Sequence, residues 1–243
     1  MTKKLNKAII LAAGKGRRLK KILRGNPKPL LKIYNKTLIE NLIEKLKNLN
    51  IKKIILVTGY RSNKIKKIVK NNAKCIYYPN YAKTNNLHTL LHVKKELNEP
   101  LLCLFSDLIF DEKILNILSK TKHDICLAVD RKAKLSGTMR VKMKNSLINE
   151  IGNHINVKNS DGNFIGFAKF SKFGCKLLKK TLEKYKNSNF NDYYTQALNS
   201  LIKNKNKVCF KDVSNYYWKE IDTVQDLLKA KEINRRILKN EKK

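Results

Sequence analysis

Two glycines and three basic residues fall within five positions, Gly14-Lys15-Gly16-Arg17-Arg18, directly after the small and apolar Leu11, Ala12 and Ala13. Residues this small let a backbone approach a ligand closely, and both glycines permit positive φ. Successive N–H groups in such a loop cradle phosphates, while Lys15, Arg17 and Arg18 add charge for a triphosphate. Twelve residues after Gly16 stands Lys28, between Pro27 and Pro29. The prolines are expected to hold the chain extended there, so the lysine can meet a phosphate at little ordering cost. Taken alone, the segment reads better as an ordinary proline turn with an exposed lysine.

Chemistry at a triphosphate also needs Mg²⁺, which takes few carboxylates and keeps positions for phosphate oxygens and water. Asp107 follows the apolar run Leu101–Phe105, where ligand sites lie in open α/β sheets. Asp222 stands in Glu220-Ile221-Asp222-Thr223, just before a helical pattern. The alternative for Asp107 is a turn or cap, and for Asp222 the N-cap of that helix. Asp111 reads as a cap. There is no GxxxxGK[ST], and Leu19 stands where a dinucleotide fingerprint wants its third glycine. No Ser/His/Asp or Cys/His set suggests a nucleophile.

The elements that must position these residues alternate along the chain. Strands are expected at Lys7–Ala12, Ile54–Thr58, Cys75–Tyr78, Leu101–Phe105 and Ile125–Val129. Helices are expected at Leu38–Asn48, Asn63–Lys70, Asn86–Glu96 and Glu112–Ser119. Continuous apolar strands between helices indicate a mostly parallel sheet covered on both faces. Shorter strands follow at Thr138–Met143, Leu147–Ile151 and Phe164–Phe170. Helices at Lys172–Tyr185 and Asp192–Lys203, a strand at Lys207–Val213 and a last helix at Val224–Lys239 complete the pattern. The 243 residues are read as a single domain, with a nucleotide-binding half to about residue 135 and an acceptor-binding half beyond it.

The net charge is +35, yet the lysines are spread along the whole chain and Arg supplies only eight of the 54 basic residues. Lys, Asn and Ile are abundant together, as AT-rich coding produces. A solvated surface is therefore preferred to a nucleic-acid footprint. A non-catalytic protein binding RNA or membrane is the rival of another class; it leaves Asp107 and Asp222 without a role. Five scattered cysteines, no CxxC pair, no signal peptide and no apolar span point to a reduced, cytoplasmic protein.

Leu11–Leu19 reads LAAGKGRRL and Pro27–Leu30 reads PKPL. Together they resemble the nucleotidyltransferase superfamily that makes nucleotide-sugars and related activated head groups. The resemblance implies a Rossmann-like, GT-A-like α/β fold with a small mixed acceptor-binding extension. It implies that the Ala12–Gly14 backbone borders the base, that Gly16–Arg18 wraps the triphosphate, that Lys28 contacts phosphates, and that Asp107 and Asp222 bind magnesium. Ser106 stands where the family usually has glycine. Asn80 followed by Thr84-Asn85-Asn86 resembles the phosphocholine and 2-aminoethylphosphonate cytidylyltransferase branch, with Thr84 and Asn85 as readers of cytosine.

The partners implied are CTP and a small phosphorylated or phosphonylated acceptor, with no nucleic acid, no stable membrane association and a homodimer left open. A quaternary ammonium on the acceptor would want aromatic rings, for which Tyr193, Tyr194, Tyr216, Tyr217 and Trp218 are candidates. A primary ammonium would want Asp130, Asp192 or Glu220. Lys169, in the second half, is the candidate for the acceptor's phosphate. A sugar-1-phosphate uridylyl- or thymidylyltransferase and an inositol-phosphate cytidylyltransferase remain the alternatives within the superfamily.

Overall fold

Alternating apolar residues decide the layering. In the first strand, β1 (Lys7–Ala12), every residue is buried. Ile9 and Leu11 pack on one side of the sheet, and Ala8, Ile10 and Ala12 on the other. A strand buried on both faces needs helices above and below it. The computed structural model, which describes residues 4–133, 135, 137–187 and 189–241, supplies them.

After β1 come α1 (Lys20–Leu23), the small hairpin β2 (Lys32–Ile33) and β3 (Lys36–Thr37), α2 (Leu38–Asn48), β4 (Lys53–Thr58) and α3 (Ser62–Val69). Next are β5 (Lys74–Tyr77), α4 (Asn86–His92), β6 (Leu101–Phe105), β7 (Leu108–Phe110), α5 (Lys113–Ser119) and β8 (Ile125–Asp130). The remainder is β9 (Arg140–Lys144), β10 (Leu147–Gly152), β11 (Gly162–Phe170), α6 (Lys172–Lys184), α7 (Thr195–Lys203), β12 (Cys209–Asp212), β13 (Trp218–Glu220) and α8 (Val224–Glu241).

The strands β5, β4, β1 and β6 lie side by side and parallel. Next to β6 comes β11, antiparallel to it, and β8 and β12 follow on the other side of β11. The hairpin β9–β10 joins the first residues of β11. Helices α4, α6 and α7 cover one face, and α2, α3 and α5 the other. Each fully buried Leu or Ile side chain on these faces contributes about 1.5–3 kcal/mol. The mostly parallel α/β sheet expected from the sequence is present. No helix among the described residues is long and apolar enough to cross a membrane.

A third, smaller cluster matters more for position than for size. Leu19, Leu23, Leu31 and Ile33 pack there with Ile109, Ile221 and Leu227. It clamps the proline–lysine segment against β7, β13 and α8. The segment is not extended, as expected, but forms a 3₁₀ turn over Lys28–Leu30. Pro27 is extended (φ −72°, ψ 147°) and enters the turn with no N–H to satisfy.

Two helix boundaries and one ribbon depart most from expectation. Helix α4 stops at His92, followed by a 3₁₀ turn at Lys94–Glu96, and α7 begins at Thr195 instead of Asp192. The antiparallel ribbon β7–β13 was not anticipated, because runs of three residues carry no usable periodicity.

That ribbon is tied to the main sheet by Trp218, whose Nε1–H donates to Asp130 Oδ2 at 2.7 Å. The other Asp130 oxygen accepts from the N–H groups of Lys132 and Ala133. Under the C-terminal end of β6, Phe105 meets Phe164 and Tyr194 edge-on. Gly166 of β11, at φ +89°, makes room for it: a Cβ there would lie 2.4 Å from Phe105 Cδ2.

Gly166→Ala should therefore cost about 1–3 kcal/mol, read as a lower midpoint in urea unfolding. Trp218→Phe keeps the ring but leaves Asp130 Oδ2 without its donor. A loss of about 1–3 kcal/mol is expected on the same assay.

Candidate active site

The loop after β1 is shaped by one glycine more than the other. Gly16 sits at φ 62°, ψ 43°, and starts a 3₁₀ turn over Arg17–Leu19 whose Leu19 is buried. A Cβ on Gly16 would lie 3.0 Å from Lys28 Cβ, so the loop crosses directly over the lysine's stem. Gly14 does not use the left-handed region, correcting that expectation. A Cβ there would meet nothing within 4 Å. The Ala13 carbonyl accepts from Tyr60 N–H at 3.1 Å, which ties this loop to the one after β4.

Lys28 is buried, and its ammonium stands 2.7 Å from Asp107 Oδ2 and 2.7 Å from Asp222 Oδ1. Burial alone would push its pKa down. The two carboxylates more than offset that and hold it well above the ordinary lysine value. The other Asp222 oxygen lies 2.8 Å from Arg18 Nη2. Asp222 does not cap α8. Thr223 does, its Oγ1 accepting from Asp226 N–H while Asp226 Oδ2 accepts from Thr223 N–H. Asp222 is thereby left to the site. Asp111 caps the start of α5, as expected, accepting from Lys113 N–H.

The ribbon sets the spacing of the acids. Glu220 pairs with Leu108, and Ile221 N–H donates to the Asp107 carbonyl at 3.0 Å. Asp107, Glu220 and Asp222 each present an oxygen within 4.8 Å of the others. Burial first, then the Asp107 and Asp222 carboxylates, push the Glu220 carboxyl up to about 8, against the pull of Lys28 and Arg18. Asp107 Oδ1 is buried without a hydrogen-bond partner. Three crowded carboxylates with an unsatisfied buried oxygen form an all-oxygen donor set suited to a hard cation.

A cleft of about 520 Å³ joins these parts. Leu11 to Arg18, Lys28, Asp107 and Asp222 line it, as do Thr84 and Asn85. Two of the proposed readers already have partners. Thr84 Oγ1 bonds with Tyr78 Oη at 2.8 Å, and Asn85 Oδ1 accepts from Asn86 N–H. Asn80 is not part of the lining; its carbonyl accepts from Lys83 N–H and Thr84 Oγ1.

The acceptor candidates fare differently. Lys169 lies near the opposite end of the sheet, paired with Leu102 and Cys126, and donates to the carbonyls of Thr121 and His123. Because β11 runs antiparallel, its last residues point away from the cleft, and Lys169 is withdrawn as an acceptor ligand. Tyr194 is 0% exposed, packed among Phe105 and Phe164, and is withdrawn as well. Asp130 is occupied by Trp218 and two N–H groups, and neither residue lines the cleft. Glu220 belongs with the acids, not the acceptor; its spacing two from Asp222 on an extended segment is the signal that places both on one face.

Sequence reasoning missed Tyr81, Thr89, Phe105 and Asn191 in the lining and had Tyr193 only as one aromatic among several. Asn191 and Tyr193 arrive because the segment before α7 docks on α4. Asn85 N–H donates to the Phe190 carbonyl and Tyr194 N–H to Asn86 Oδ1. No local pattern announces such a contact.

Residues 8–158 match the model of the MobA-like NTP transferase domain. The CTP:phosphoglutamine cytidylyltransferase of Campylobacter jejuni is 29% identical over 90% of this chain and 97% of its own. An inositol-1-phosphate CTP transferase structure from T. maritima superposes with a TM-score of 0.82 at 20% identity, covering 98% of both chains. The CTP:phosphocholine cytidylyltransferase LicC of Streptococcus pneumoniae gives 0.79 at 24%, over 93% of this chain and 98% of its own. Against bifunctional GlmU proteins of methanogens the chain spans between 27% and 55% of the relative's length. With the matching domain covering well over half of its length, a glycine loop, a buried lysine and paired aspartates in one cleft, this chain belongs to the MobA-like NTP transferase family and is a nucleotidyltransferase.

Proposed function

We propose that the chain transfers CMP from CTP to a small phosphorylated or phosphonylated acceptor, releasing pyrophosphate, with Mg²⁺ held by Asp107, Asp222 and Glu220. The observation that carries this reading is the Lys28 ammonium standing 2.7 Å from both Asp107 and Asp222, in the cleft that the glycine loop lines. The choice of CTP is supported by the cytidylyltransferase named among the relatives. Aromatic rings in the lining, Tyr81, Phe105 and Tyr193, suit a cationic acceptor such as phosphocholine or 2-aminoethylphosphonate.

In this reading an acceptor oxygen attacks the α-phosphorus in line while the bond to the β-phosphate breaks. Little covalent work falls to the protein, which aligns the reactants and neutralises charge. The loop from Ala12 to Gly14 borders the base, and Gly16, Lys15, Arg17 and Arg18 surround the triphosphate. Lys28, pre-ordered by the turn and by Gly16 packed on its stem, stabilises charge on the phosphates. A divalent ion, when bound, would supply neutralising charge for the phosphates. Asp107, Glu220 and Asp222, brought together by the β7–β13 ribbon, would hold it.

Pyrophosphate release should be fastest with CTP when CTP, UTP, dTTP and ATP are compared against phosphocholine, 2-aminoethylphosphonate, inositol phosphate and a sugar 1-phosphate. Turnover with UTP or dTTP alone would replace the cytidylyl assignment. Lys28→Ala and Asp107→Asn should each lower kcat/KM by about 10²-fold or more, the scale of losing one charge-stabilising group. Circular dichroism would check that the fold survives; unchanged kinetics in a folded variant would remove that residue from the mechanism.

A further inference from the structure

Both carboxylate oxygens of Asp222 are held by cationic side chains, Oδ1 by Lys28 at 2.7 Å and Oδ2 by Arg18 at 2.8 Å. The same lysine takes Asp107 Oδ2 at 2.7 Å. A magnesium-like ion binds carboxylate oxygens at roughly 2.0–2.1 Å, closer than either nitrogen stands. It therefore contends with Lys28 and Arg18 for the same oxygens, and like charges repel across them.

Both side chains also line the cleft that the glycine loop forms, and both are of the types that take phosphate. Arg18 is 65% exposed on its side chain, so it can change partner at little cost in packing. Lys28 lies beneath Gly16, where its flexible stem allows the ammonium to turn toward the loop.

The geometry points to a cation exchange built into the site. Lys28 and Arg18 neutralise Asp107 and Asp222 until the phosphates of the nucleotide draw them off, and the freed oxygens then take the divalent ion. The inference rests on reading this cleft as a triphosphate site. It makes nucleotide and metal positively coupled ligands, each raising the other's affinity by the same factor. Divalent metal by itself is a poor ligand of the resting protein.

The test is binding of Mn²⁺ alone, with no nucleotide, followed by the free-ion EPR signal. Lys28→Met and Arg18→Gln should each bind Mn²⁺ at least about fivefold more tightly than wild type, the low end of ordinary coupling factors. Lys15→Gln is the control for charge alone, since that ammonium lies over the Tyr81 ring, 5.9 Å from its centroid. Its Mn²⁺ affinity should stay close to wild type. Should Lys28→Met fail to fold, the exposed Arg18→Gln decides.

Unchanged or weaker Mn²⁺ binding in the folded variants overturns the exchange, and so does an equal gain in Lys15→Gln. Wild-type turnover of CTP with no such gain would leave the reaction standing and remove only the exchange. A gain in a protein that turns over no nucleoside triphosphate would remove the reaction and leave the contest for the carboxylates.

Discussion

Two charged carboxylates close together in a partly buried place need counter-charge, and here one ammonium, Lys28, meets both while Arg18 meets the second. Lys28 reaches Asp107 from 79 positions away and Asp222 from 194. Removing a partner from such a buried set leaves an uncompensated charge, which costs far more than an exposed ion pair contributes. Much of the surrounding architecture follows from that constraint. Gly16 is needed because the loop must pass over the lysine's stem. The third apolar cluster fixes the turn that carries Lys28, and the β7–β13 ribbon sets the two acids at their spacing. Even the cap of α8 conforms: Thr223 takes the capping role, and the aspartate beside it stays with the cluster.

The sheet explains why the site lies where it does. Parallel strands β1 and β6 deliver their C-terminal ends to one edge, and ligands gather there in open α/β sheets. The reversed strand β11 contributes differently. Its early residues pack beneath the cleft, through Phe164 and Gly166 against Phe105, while its last residues, Lys169 among them, end at the opposite edge. Direction, more than position in the chain, decides which residues of this strand can serve the site.

What could be read from sequence was what is local. The glycine loop and Lys28 stood out through the pairing of LAAGKGRRL with PKPL, and Asp107 and Asp222 through the resemblance that pairing carries; the structure gathers all four in one cleft. The main strands and most helices were likewise legible, because long apolar runs and helical periodicity are strong signals. The rest depended on contacts between distant segments. Nothing around Trp218 or Asp130 shows that they hydrogen-bond to each other, so both read as ligands when they serve as a tie. Tyr194 looked like part of an aromatic cage, but it is fully buried against Phe105 and Phe164. Asn191 and Tyr193 enter the lining only because one loop docks on another.

The span between Lys28 and Asp222 also has a temporal meaning. A ribosome makes the glycine loop, the lysine and Asp107 before Asp222, with most strands of the main sheet in between. The second aspartate emerges only after β13, just ahead of α8. Until then the lysine has only one of its two acidic partners. The charge cluster of the cleft is thus completed only once the segment ahead of α8 has left the ribosome.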